Sequence, residues 1–107
     1  MKRILLNADI GERGPSHPID LMLMDYIDIA NIACGGHAGD RESVAAFRAL
    51  AAAKGIMSAA HLSYPDREGF GRTTVVLPHK QLLHSLDEQL ALMPDAEVIK
   101  FHGALYN

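Results

Sequence analysis

Four apolar runs in this chain lead into residues that bind metals, move protons or hold carboxylates. Asp9 ends the run 4–9, His37 lies just past 27–34, His61 ends 56–61, and Lys100 and His102 lie in 98–102. Read as strands, the runs place these groups at one end of one sheet, where catalytic residues gather in parallel α/β folds. Asp9 and Glu12 can serve as base, acid or metal ligand, although Asp and Gly, here Gly11, are also ordinary turn residues. Asp9 with His37, His61 and His102 makes a candidate Asp/His metal set, but the long spacing matches no short metal motif. Lys100 and His102 alternate with Ile99 and Phe101, so a period of two puts them on one side. A lysine in a buried strand pattern is costly unless it is paired. Asp9 or Glu12 is its expected partner, and the pairing would tune the acid.

Asn31, Cys34, His37 and Asp40 crowd into one short stretch around Gly35-Gly36, where glycines allow close backbone approach to a ligand. Asp40 reads first as a helix cap, and the helix start beyond it offers N–H groups to an anion. Cys34 reads as a small buried residue rather than a nucleophile. Segment 64–72 is too long for a simple connection and suits a functional loop. In it Arg72 can clamp a carboxylate or phosphate. His17, His79 and His84 read as surface or helix-face residues.

The elements that must position these groups alternate as β-α-β-α-β-α-β. Ser16 is the expected cap of a short helix over 18–24. Asp40 opens a helix over 41–54 whose apolar face holds Val44, Phe47, Leu50 and Ala51, and Gly55 ends it. Pro78 opens a third helix with Leu82, Leu83, Leu86, Leu90 and Met93 at three-to-four spacing, and Pro94 closes it. Such alternation predicts a parallel sheet with right-handed crossovers. About four βα units fit a (β/α) barrel-type sheet, half of a barrel, or a small open α/β sheet.

Bulk properties exclude several classes. The 107 residues make one domain at most. A formal net charge of −3 and six aromatics without a Lys/Arg cluster argue against nucleic acid. No apolar stretch suits a membrane span, and the apolar start meets Asn7 and Asp9 too soon for a signal peptide. One cysteine excludes an internal disulfide and fits a cytoplasmic location. No Gly-Lys-Ser/Thr phosphate loop is present, so ATP binding does not follow from this chain.

Segments 6–12, 30–40, 60–66, 69–72 and 100–107 closely resemble, in order, the N-terminal part of the LamB/YcsF family, the A subunit of 5-oxoprolinase. The resemblance implies a TIM-like (β/α) barrel related to polysaccharide deacetylases, with residues 1–107 as a single truncated barrel domain. It implies ATP-dependent opening of the 5-oxoproline lactam to L-glutamate, with ATP handled through partner B and C subunits. Asn7, Asp9, Glu12, Asn31, His37, Asp40, His61, Asp66, Arg72, Lys100 and His102 match the family's polar motif positions. Within that match Asp9, Glu12, His37, His61, Lys100 and His102 are the expected catalytic set, and Asn7, Asn31, Asp40, Asp66 and Arg72 the expected substrate-binding set. The chain departs from the family pattern at Leu5 (usually Asp), Gly36 (usually Phe), Leu62 and Phe101 (usually Pro) and Thr73 (usually Arg). Members of the family are longer and carry further strands.

Three functions are open at this point. One is a component of 5-oxoprolinase. A second is a metal-dependent amide or acetyl hydrolase that uses a divalent ion. The third is an inactive half-barrel remnant that acts only in assembly. A half barrel leaves sheet edges unpaired, so self-association or a second chain completing the barrel is expected.

Overall fold

The computed structural model describes residues 3–107. Its elements run β1 (Asn7–Ile10), α1 (Pro18–Leu23), β2 (Ile29–Ala33), α2 (Arg41–Lys54), β3 (Met57–Leu62), α3 (His79–Ala91) and β4 (Ile99–Phe101), followed by a 3-10 turn at Gly103–Leu105. All three strand pairings are parallel, and the sheet order is β1-β2-β3-β4. The parallel α/β class read from the alternation is the one observed, each crossover being carried by a helix.

The side-chain period of two divides the sheet into two faces. Ile10, Ala30, Ile32, Cys34, Ala60 and Leu62 point to the helices and form the core with Met24, Val44, Phe47, Ala51 and Met93. Asn7, Asp9, Asn31, His61 and Lys100 alternate with them and share the opposite face. The register sets Asp9 opposite Asn31 and His61 opposite Lys100. Ala33 and Ala59, both fully buried, keep that polar face low between the larger groups.

Helix α2 has the start and stop its sequence requires. The Asp40 carboxylate accepts from the Ser43 N–H while the Ser43 hydroxyl accepts from the Asp40 N–H, a reciprocal capping box. Gly55 closes it at φ 71°, a left-handed turn that favours glycine. Helix α1 corrects an expectation, because His17 rather than Ser16 is the cap, its Nδ1 accepting from the Ile19 N–H. Helix α3 corrects another. Leu83, expected on the apolar face, is 60% exposed, and Gln89 is buried instead. That helix also ends at Ala91, before Pro94.

The sheet edges are apolar. Ile4, Leu5 and Leu6 precede β1, and Val98, Ile99 and Phe101 run along β4; all six are exposed. No helix among the described residues is long and apolar enough to cross a membrane.

Phe47, fully buried, lies beneath the loop leaving β1, with its ring 3.5 Å from where a Cβ on Gly11 would stand. Phe47→Ala is expected to cost about 3–5 kcal/mol of stability, read as a lower urea midpoint. The loss should be no smaller than that of Leu83→Ala at the exposed position.

Candidate functional site

Loop and strand ends bring the ionisable residues together. Glu12 comes from the β1–α1 loop, which Asp20 holds from below. The buried Asp20 carboxylate accepts from the Gly11 N–H at 3.1 Å and from the Arg13 guanidinium at 2.9 Å. His37 comes from the β2–α2 loop, His61 from within β3, and His102 from just past β4. All three imidazoles are buried. The His37 and His102 rings stack with centroids 3.7 Å apart, and His61 meets both edge-on.

Fixed acceptors settle which imidazole nitrogens carry hydrogen. A carbonyl oxygen only accepts. His61 Nδ1, 3.1 Å from the Lys100 carbonyl, is therefore a donor, as is His102 Nε2, 2.9 Å from the Phe70 carbonyl. The Ser63 hydroxyl donates its one proton to the Tyr64 carbonyl at 2.9 Å, so at 3.0 Å it accepts from His37 Nδ1. The other three nitrogens converge on Glu12, and these ligand atoms all lie within 4.8 Å of one another. His37 Nε2 is 2.6 Å from the Glu12 carboxylate, and His61 Nε2 is 3.1 Å from His102 Nδ1.

Each of those two short contacts needs a proton between its atoms, or a cation in place of the protons. Two protons carry the charge of one divalent ion; Glu12 faces that charge directly, and Asp9 divides its own between His61 and the Lys100 ammonium. Ligands at about 2.0–2.1 Å around a tetrahedral zinc-type ion stand about 3.4 Å apart. The His61–His102, His61–Glu12 and His102–Glu12 separations are 3.1, 3.8 and 3.9 Å. The 2.6 Å His37–Glu12 pair is a charge-assisted hydrogen bond that would have to open slightly. Imidazoles whose outer N–H groups are tied to oxygen are the usual surroundings of metal-binding histidines. The donor set fits a divalent ion held by Glu12, His37, His61 and His102.

Asp9 sits beside this cluster in its own network. Its Oδ1 accepts from Lys100 Nζ at 2.8 Å and from the Asn31 amide at 3.3 Å, and its Oδ2 is 3.4 Å from His61 Nε2. Asn31 also donates to the Asn7 side chain at 2.8 Å. Burial pushes the Asp9 carboxyl up, but contacts with His61 and Lys100 outweigh it and hold the group well below the usual carboxylate range. Burial likewise raises Glu12, and its His37 hydrogen bond brings it below its ordinary value. Burial lowers the His102 imidazole and favours the neutral ring. It also pushes the Cys34 thiol up to about 11, far from a reactive thiolate.

An open cavity of about 300 Å³ adjoins the cluster, and Asp9, His61, Arg72, Lys100 and His102 line part of it. The exposed Arg72 guanidinium lies 5.7 Å from the centre of the Phe70 ring. No ion pair among the described residues engages it. Phe70 itself adopts φ 53°, a left-handed conformation uncommon outside glycine. This strained turn aims its carbonyl at His102 and sets its ring edge-on to His37 and His102. Two expected binding residues lie outside the cluster: Asp40 caps α2, and Asp66 accepts from the Gly69 N–H within its loop. Sequence reasoning missed Asp20, Ser63 and Gln89. Gln89 carried a signal, a polar residue at the 82, 86, 89, 93 spacing of a buried stripe. Ser63 carried none.

A parallel sheet of the (β/α) barrel type with a carboxylate–imidazole cluster at its strand ends defines a class in which strand-end residues do chemistry. Within that class the chain belongs to the LamB/YcsF family, which it matches over residues 4–107. It is 41% identical over 115 residues to the A subunit of 5-oxoprolinase from Haemophilus influenzae (strain PittEE), and 42% identical over 117 residues to the protein of that name from Ruegeria pomeroyi. Each alignment covers 100% of this chain and 46% of the relative. The structure is similar to that of the lactam utilization protein from Thermus thermophilus, with a TM-score of 0.71 and 29% identity over 98% of this chain and 47% of the other. The chain spans about half the length of the curated relatives it matches.

The lowered carboxylates fix the direction of acid sensitivity. A carboxyl held below its unfolded value contributes stability that is complete above the ordinary carboxylate range, about pH 4, and lost as pH falls through the folded value. Urea midpoints are expected to fall steadily below about pH 4. Asp9→Asn should lower stability near neutral pH and flatten that acid decline.

Proposed function

We propose that this chain forms one wall of the centre at which a 5-oxoprolinase opens the 5-oxoproline lactam to L-glutamate. The reading includes B and C subunits that carry the ATP chemistry, and a cytoplasmic setting. One observation carries it: Glu12 and three inward imidazole nitrogens converge beside a cavity lined by Arg72 and Lys100. The family relation supports it through relatives named as the A subunit of 5-oxoprolinase.

Opening a lactam adds water across its C–N bond. The hydroxyl goes to the carbonyl carbon and a proton to the departing nitrogen. Glu12, held ionised by His37, is suited to take the proton from the attacking water. The proton held between His61 Nε2 and His102 Nδ1 is the donor available to the oxygen on which negative charge develops. Arg72 receives the substrate carboxylate as a planar clamp. Lys100 adds positive charge while Asp9, braced by Asn31 and Asn7, fixes where its ammonium stands. Asp66 acts by shaping the loop that carries Arg72 to the cavity, and Asp40 by fixing the start of α2 just past the loop that carries His37.

The convergent donor set favours a second reading, a metal-dependent amide or acetyl hydrolase. Glu12, His37, His61 and His102 would hold a divalent ion, which acts as a Lewis acid on a carbonyl oxygen. Exposed apolar residues along β1 and β4 favour a third feature in either case, closure of the sheet by a second copy or another chain.

Purified chain combined with B and C subunits is expected to release glutamate from 5-oxoproline with ATP consumption. Glu12→Gln should lower that rate by about 10²–10⁴-fold. A folded chain that yields no glutamate with its partners sinks the first reading. Zinc titration followed by calorimetry separates the second, with uptake of one ion per chain accompanied by proton release and weaker at low pH. Absence of uptake at neutral pH removes it. Light scattering should find a dimer or larger species, and a monodisperse monomer would count against edge closure.

A further inference from the structure

The mechanism leaves unused a buried polar chain that links α3 to the cluster. Gln89, 4% exposed, clasps the backbone of Ser63 with both ends of its carboxamide. Its Oε1 accepts from the Ser63 N–H at 3.1 Å, and its Nε2 donates to the Ser63 carbonyl at 2.9 Å. Nε2 also reaches the Ser85 hydroxyl at 3.2 Å, one turn back along α3. Ser63 is fully buried, and its hydroxyl proton is spent on the Tyr64 carbonyl. Its oxygen is left to face His37 Nδ1 alone.

We infer that Gln89 and Ser63 are positioning residues that hold His37 with its Nδ1–H outward on the Ser63 oxygen and its Nε2 inward toward Glu12. The pair touches neither the cavity nor Glu12 and acts only through His37. A buried carboxamide in the middle of an apolar helix stripe is otherwise costly, and here both its ends are satisfied by one residue's backbone. The space is reserved for it as well. A Cβ on Gly36 would collide with the Ser63 hydroxyl and stand 2.7 Å from Gln89 Oε1. Gly71, at φ 66°, also brings its backbone against His37, His102 and Ser63, where a Cβ would lie 2.8 to 3.2 Å from each. Bare glycine backbone thus closes on the His37 Cβ, and the Ser63 oxygen is the acceptor its Nδ1 meets. The proposal rests on the reading of His37 as a member of the candidate centre, and goes beyond it by naming what sets that ring's orientation.

The test is imidazole ¹⁵N–¹H correlation spectroscopy on the metal-free, full 107-residue chain labelled with ¹⁵N-histidine. Signals are assigned by single histidine substitutions. The wild-type chain is expected to show a proton on His37 Nδ1 that exchanges slowly with water. Ser63→Ala should speed that exchange at least about tenfold, the amount expected for losing a hydrogen bond of about 1.4 kcal/mol, and leave the His61 and His102 signals in place. Gln89→Met keeps the hydroxyl but frees the Ser63 backbone, and should give a smaller acceleration at the same nitrogen. A His37 Nδ1 proton as protected in Ser63→Ala as in wild type overturns the proposal. So does collapse of the native fold in both variants, which would make the pair a support of the fold. Cobalt(II) absorption gives the second readout: affinity should fall about 10–100-fold in Ser63→Ala, as for loss of an outer hydrogen bond to a metal-binding histidine. A wild-type chain that takes up no cobalt defeats the metal reading while the exchange result still decides the positioning role.

Discussion

Three imidazoles cannot all point a nitrogen at one carboxylate unless something fixes their far sides. Here the far sides are held by two backbone carbonyls and a serine hydroxyl. Each acceptor belongs to a different piece of the fold. The Lys100 carbonyl is part of β4, the Phe70 carbonyl is part of the long loop, and Ser63 is fastened to α3. The cluster therefore exists only when strand register, loop conformation and helix docking are all correct. The parallel sheet supplies the register, and the strained turn at Phe70 is held against its own backbone preference by the contacts it makes with His37 and His102.

Charge completes the constraint. Glu12 and Asp9 both face His61, and each has an opposite partner that overcomes its burial. Lys100 belongs to this balance although it reaches Asp9 across two intervening strands. That crossing works because Asn31 bridges Asp9 and Asn7, while Ala59 on β3 is too small to block it.

The alternation of apolar runs with capped helices made the element order legible, because strand period, the Asp40 cap and the Gly55 stop are local signals. The gathering of Asp9, Glu12, His37, His61, Lys100 and His102 was legible for a related reason: each lies at or just past the end of an apolar strand, and parallel strands share their C-terminal edge. That Lys100 needs a carboxylate partner followed from the cost of a half-buried ammonium, while the choice of Asp9 over Glu12 did not. What stayed hidden depended on long-range geometry. Ser63 looks like any loop serine until Gln89 and His37 are brought to it. His17 took over as helix cap because a ring nitrogen can accept as a serine oxygen does. Leu83 and Gln89 share one helix, and only docking against β3 decides which turns inward.

The volume that a side chain at position 36 would enter already holds the Ser63 hydroxyl and the Gln89 carboxamide, so positions 36, 63 and 89 share one space. In this chain any side chain at 36 has to displace one of the two, and with it the support of His37. The three positions are therefore energetically coupled, and the cost of a substitution at any one of them depends on the occupants of the other two.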